Sequence, residues 1–120
     1  MSDVMSLTEY GLSRDTVRKI AGVFVKYPNI AEAILYGSRA KGNYRPGSDI
    51  DLTLKGEGIN LEQLNAISNE LDDLLLPYTF DLSVFHHITN PDLLDHIERV
   101  GRVFYRVKKT NPGKKILNGK

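Results

Sequence analysis

LYGSRAKGNYRPGSDIDLTL, residues 35–54, runs from an apolar stretch into Gly37-Ser38, crosses a basic loop punctuated by Pro-Gly, and returns to an apolar stretch holding Asp49 and Asp51. In a strand, residues i and i+2 share a face, with Cα atoms about 6.6 Å apart. Asp49 and Asp51 therefore project together, while Ile50 and Leu52 turn toward a core. Two carboxylates about 4 Å apart repel by roughly 4 kcal/mol at an effective dielectric near 20. A proton, a basic side chain or a cation must offset that repulsion. Taken alone, an Asp-x-Asp pair favours an ordinary reading in which Asp49 caps a turn and Asp51 pairs with Arg39, Lys41 or Arg45.

The Gly-Ser turn adds a second kind of chemistry. A strand that runs into a glycine and a helical turn presents free backbone N–H groups to an anion. Gly37 lets a phosphate approach the backbone, Ser38 adds a hydroxyl, and Arg39, Lys41 and Arg45 can offset phosphate charge. The alternative is a plain turn glycine beside surface cations. Two familiar phosphate motifs do not fit. GSRAKGN follows the first six positions of a P-loop, but Asn43 stands where its lysine belongs, and no G-x-G-x-x-G occurs.

Outward from this stretch, helix and strand signals alternate. Ser13 can cap a helix with Val17, Ile20, Ala21 and Phe24 on one stripe, and Pro28 stops it. AEAILYG reads as a buried strand, SRAKG as a helical turn and DIDLTL as a second strand closed by KGEG. Asn60 with Gln63 makes a capping-box start for a helix over 61–75, whose inward residues are Leu64, Ile67, Leu71, Leu74 and Leu75. Pro77 ends it. TFDLSVF alternates as a third strand, with Asp81 and Ser83 on one face and Phe80, Leu82 and Val84 on the other. Asn90-Pro91 opens a last helix with Leu93, Leu94, Ile97 and Val100 inward, closed by Gly101, and VFYRV follows as a short strand. The fold class is α/β (α+β), a small mixed sheet with helices packed on it.

If the second and third strands are neighbours, Asp81 meets Asp49 and Asp51 on one sheet face. Three hard oxygen ligands, with no cysteine in the chain, suit Mg²⁺ or Mn²⁺ rather than Zn²⁺. Two such ions about 3.5–4 Å apart would stabilise both the attacking and the leaving oxygen of a phosphoryl transfer. Asp81 by itself reads equally well as an exposed strand-edge acid.

Gly37-Ser38, nine spacer residues, Ser48-Asp49-Ile50-Asp51-Leu52 and the later Asp81 together resemble the nucleotidyltransferase domain of the DNA polymerase beta superfamily. GSRAKG and SDIDL more narrowly resemble its minimal nucleotidyltransferases (MNT), and the likeness spans about residues 13–107. It implies a polymerase beta-like nucleotidyltransferase fold. It further implies that Asp49, Asp51 and Asp81 are metal ligands for two Mg²⁺ or Mn²⁺ ions, with Asp81 also a candidate general base. Gly37 and Ser38 would hold the β- and γ-phosphates of a nucleoside triphosphate, with Arg39 and Lys41 as weaker candidates, basic residues that either bind the nucleotide or only support the loop. The reaction implied is NMP transfer, with ATP as expected donor, to a hydroxyl acceptor. For MNT proteins the resemblance implies a HEPN-family partner, AMP transfer to a partner tyrosine, and an antitoxin role. The chain is too short for an added acceptor domain, so the acceptor is expected on a partner or at a homo-oligomer interface. A non-catalytic binding module and an antibiotic-type nucleotidyltransferase remain as alternatives.

The rest of the chain bounds these expectations. At 41% hydrophobic and 26% charged residues, the composition is that of one globular domain. No segment approaches the roughly 20 apolar residues of a membrane span, so a cytoplasmic protein with no membrane partner is expected. The +1 net charge hides a division: residues 108–120 hold five lysines and no acid, which leaves residues 1–107 mildly acidic. A folded domain over 1–107 and a flexible basic tail over 108–120 follow, with nucleic acid an unfavoured partner. His86 and His87, on adjacent strand positions, would point to opposite faces and share no ion. His96 reads as a surface residue. Among the six tyrosines, Tyr36 and Tyr44 lie nearest the motif as self-modification candidates.

Overall fold

The computed structural model describes residues 3–4 and 10–107. The basic tail expected over 108–120 lies outside the described residues. The elements in chain order are β1 (Asp3–Val4), α1 (Arg14–Val25), β2 (Ile30–Tyr36), α2 (Gly37–Lys41), β3 (Ile50–Gly56), α3 (Leu61–Asp72), β4 (Phe80–Val84), a 3₁₀ turn at Phe85–His87, α4 (Pro91–Val100) and β5 (Arg102–Arg106).

The strands form one mixed sheet in the order β1-β5-β2-β3-β4. Every pairing is antiparallel except β3 with β4, which is parallel. Strand alternation splits the side chains between two faces. On one face Leu35, Leu52, Leu54 and Phe104 meet Val17, Ile20 and Phe24 of α1 and Ile67 and Leu71 of α3 in the main core. Each such side chain contributes about 1.5–3 kcal/mol when fully buried. On the opposite face α4 covers a smaller cluster of Ile34, Tyr36 and Ile97, with Phe85, Ile88, Leu93 and Val100 packed against it.

The helix starts follow their caps. Ser13 Oγ accepts the Thr16 N–H at 3.1 Å, and Asn90 Oδ1 accepts from Asp92 and Leu93 ahead of α4. At α3 the capping box is only half formed. Asn60 Oδ1 accepts the Gln63 N–H at 2.8 Å, but the Gln63 amide exchanges a pair of hydrogen bonds with Asn29 (2.8 and 2.9 Å), tying α3 to the entrance of β2. The helix also ends earlier than its apolar stripe implies, at Asp72. Leu74 still packs on the core, but Leu75 adopts φ 57° and is 88% exposed. Pro77 explains the early stop. It removes a donor and disfavours helical backbone at the residue before it, so the chain unwinds over 73–76 to turn into β4. Among the described residues no helix is long and apolar enough to cross a membrane.

Candidate active site

The parallel pairing of β3 and β4 brings the acids together. Asp51 lies opposite Asp81 in register, and across the antiparallel pairing with β2 it also lies opposite Tyr36. The condition posed by the sequence, that the second and third strands be neighbours, is met. Asp49 stands one residue before β3, where the Ile50 N–H donates to Thr79 O at 2.9 Å and locks the entrance of the two strands together. Burial, then the charges of Asp81 and Asp49, push the Asp51 carboxyl up to about 6. Burial also pushes the Tyr36 hydroxyl up, and the Asp81 and Asp51 charges add to that. The Ser83 hydroxyl nearby works the other way.

No ion pair among the described residues relieves this field. Among the described residues, the ion pairs are Lys19–Asp15, Lys26–Glu70, Arg99–Asp95 and Arg106–Glu32. None involves Asp49, Asp51 or Asp81, so the pairing of Asp51 with Arg39, Lys41 or Arg45 does not occur. Also among the described residues, no three acid or histidine side chains close to ligating distance around one point. The donor set nevertheless fits Mg²⁺ or Mn²⁺ in chemistry. It is all oxygen, Asp51 and Asp81 stand in register, and burial first, then the charges of Asp81 and Asp49, raises the Asp51 pKa.

Gly37 sits directly above this cluster. It has φ +74°, and a Cβ built there would collide with Asp51 Oδ2. Only glycine allows the turn to lie so close to the carboxylate. Ser38 follows in the first turn of α2, half-buried, and Gly42 ends that helix in the left-handed region at φ 93°.

Arg39 takes the loop-supporting one of its two expected roles. It is 1% exposed, and its guanidinium donates to Ser48 O (3.0 and 3.1 Å), Tyr10 O (2.9 Å) and Pro46 O (3.1 Å). The rings of Tyr44 and Tyr78 stack on it with centroids 5.3 and 4.9 Å away. Those bonds commit Arg39 to holding the loop that delivers Asp49, and burial keeps it from a phosphate. Lys41 is exposed and unconstrained by any recorded ion pair among the described residues. Arg45 contributes its backbone, with its N–H donating to Ser48 Oγ at 2.8 Å.

His96 is a residue that sequence reasoning placed wrongly. It is half-buried, and its Nε2 accepts the Gly37 N–H at 3.0 Å. The imidazole meets the Tyr36 ring edge-on at 6.1 Å between centroids. Its position one residue before buried Ile97 was the available signal, since it flanks the inward stripe of α4. The bond to a glycine 59 residues earlier was not visible locally. His86 and His87 are both exposed and lie on the 3₁₀ turn, so strand alternation does not apply to them. A groove of about 680 Å³ on the same sheet face, floored by Ile34, Phe85 and Val103, is lined by Asp95 but by none of Asp49, Asp51 and Asp81.

The family model described as Polymerase beta, Nucleotidyltransferase matches residues 18–110. The chain belongs to the polymerase beta nucleotidyltransferase family. It therefore carries a nucleotidyltransferase domain, and the mixed sheet with its packed helices is that family's fold. Its fold is similar to a chain in a crystal structure of a toxin–antitoxin pair with AMP-PNP, at TM-score 0.63 and 18% identity, covering 77% of this chain and 74% of that one. A second similar structure is a mutant of the toxin–antitoxin MntA-HpeT, at TM-score 0.62 and 16% identity over 77% and 74% of the two chains. A third is a tri-AMPylated HEPN toxin from Shewanella oneidensis in complex with MNT antitoxin, at TM-score 0.59 and 16% identity over 78% and 72%. No curated protein matches the sequence.

Proposed function

We propose that this polymerase beta-type domain, read as residues 1–107, transfers AMP from ATP to a tyrosine hydroxyl of a HEPN-family partner and thereby acts as an antitoxin. The observation that carries the reading is the register of Asp51 against Asp81, with the Asp49 charge felt there and, among the described residues, no ion pair to relieve it. A site that held only a protein partner would gain nothing from that repulsion.

Asp49, Asp51 and Asp81 are the residues that would hold Mg²⁺ or Mn²⁺. Divalent ions, when bound, neutralise phosphate charge and lower the pKa of a coordinated hydroxyl. The chain's own residues do the remaining work. Ser38, in the turn above Asp51, offers a hydroxyl and a backbone N–H to the triphosphate. Asp81 takes the proton of the attacking hydroxyl. The new bond joins the acceptor oxygen to the α-phosphorus, the bond from that phosphorus to the β-phosphate oxygen breaks, and pyrophosphate leaves. Positioning and charge neutralisation supply most of the acceleration. Arg39 acts at a distance, fixing Ser48 O and so the approach of Asp49.

The acceptor reading is supported by the similar folds found in toxin–antitoxin pairs, one with AMP-PNP and one with an AMPylated HEPN toxin. The test is neutralisation in cells by Asp81→Asn, co-expressed with a HEPN-family partner and checked for normal abundance. The enzymatic reading expects the toxin to stay active and unmodified. A variant that still neutralises would assign the protection to complex formation instead.

A further inference from the structure

The first N–H groups of any helix have no intrahelical acceptor, and at α2 the first of them belongs to the turn above the aspartates. No local side chain caps it, since Tyr36 at the N-cap makes no side-chain hydrogen bond there. The acceptor comes from α4, as His96 Nε2 at 3.0 Å. A neutral imidazole that accepts through Nε2 carries its proton on Nδ1.

The imidazole is itself well held. Tyr36, 7% exposed, presents its ring at 79° to the imidazole plane. The next residue, Ile97, is buried against Ile34 and Tyr36, and its carbonyl accepts the Gly101 N–H at 2.7 Å as α4 ends. At the other end of the bond, Gly37 has no slack, because its Cα lies against the Asp51 carboxylate. Fixing the Gly37 N–H therefore fixes the distance between the turn and the acids. It also occupies that donor, so the N–H groups left for an anion begin at Ser38.

We propose that His96 is a positioning residue for the triphosphate, pinning Gly37 so that Ser38, rather than Gly37, presents its donors to the phosphates above Asp51. This inference rests on the nucleotidyl-transfer reading of the site. The active group is the acceptor nitrogen, not the bulk of the ring, and that makes it separable from packing.

His96→Phe keeps a ring against Tyr36 and removes the acceptor, whereas His96→Gln restores an acceptor without the ring. Binding of Mg²⁺-loaded inorganic tripolyphosphate, KM and kcat for ATP, and the melting temperature would be measured on wild type and both variants. Losing one hydrogen bond of this kind corresponds to about a tenfold change. His96→Phe should weaken tripolyphosphate binding and raise KM by about that factor, with little change in kcat or melting temperature, and His96→Gln should recover most of it. Equal losses in both variants, losses that follow the melting temperature, or no loss in His96→Phe would overturn the proposal. Wild type that binds no tripolyphosphate would sink the phosphate role of the turn itself, a distinct failure. Amide exchange at Gly37 in the nucleotide-free protein tests the bond independently. It should quicken in His96→Phe, and an unchanged rate there would also overturn the proposal.

Discussion

On the face covered by α1 and α3, the sheet meets its helices through Leu35, Leu52, Leu54 and Phe104, all fully buried in one continuous cluster. On the face covered by α4, the buried cluster shrinks to Ile34, Tyr36 and Ile97, and β3 and β4 carry Asp51, Thr53, Asp81 and Ser83. The hydroxyls of Thr53 and Ser83 are buried there without a well-formed hydrogen bond among the described residues. One face is built to be stable, and the other accepts repulsion and unmet polar groups close to the acids. The difference is informative because β3 serves both faces. Leu52 anchors the strand in the core, and Asp51 beside it is thereby held in a field it would otherwise relax from.

The sharpest way to break the comparison is on the dry face. Phe24→Ala removes a fully buried ring from the main core and should cost about 3–5 kcal/mol in a denaturant titration. A cost below about 1 kcal/mol would mean that the face is not the stabilising one. Arg39→Ala comes next. It leaves the carbonyls of Ser48, Tyr10 and Pro46 without their donor and should cost about 2–3 kcal/mol, with transfer activity falling as Asp49 loses its approach. If activity dropped through lost triphosphate binding alone, with stability unchanged, Arg39 would face the nucleotide after all.

On the acidic face the sign reverses. Folded Asp51 holds its proton up to about pH 6, whereas in the unfolded chain it ionises at its ordinary value of 3.8. Between these values the folded state binds more protons, so the metal-free protein loses stability as pH rises from about 4 to about 6. Above that window the penalty is fully present. Asp51→Asn should therefore stabilise the metal-free protein at pH 7 by about 1 kcal/mol, a figure reduced for solvent screening of this half-open group, while abolishing transfer. Thermal melts across pH 4–8 would show the gain vanish at the acid end. A variant less stable than wild type at pH 7 would contradict the electrostatic account. The smallest effect belongs to Leu75→Gln, which should stay within about 0.5 kcal/mol because the helix no longer buries that residue.

Much of this was legible in the chain because it is local. Gly37-Ser38, the alternation around Asp49 and Asp51, and the placement of Asp81 opposite Phe80 and Leu82 follow from strand periodicity alone. Leu75 misled because a helical stripe continues through it, while Pro77 acts backward on the chain. For Arg39 the two roles could not be separated locally, because exposure is the usual state of an arginine near a glycine turn. Its burial depends on Tyr44, Tyr78 and three carbonyls that converge only on folding. His96 was missed for the same reason, since its partner is set by how α4 crosses the sheet.

Label transfer tests directly whether the acidic face performs nucleotidyl transfer. Purified protein would be incubated with Mg²⁺ and each α-labelled ribonucleoside triphosphate, with and without a HEPN-family partner, beside the Asp49→Asn/Asp51→Asn variant. Label should appear on the partner's tyrosine from ATP, with pyrophosphate released, by wild type alone. A tight complex that forms with no transfer from any of the four nucleotides would contradict the nucleotidyl-transfer reading.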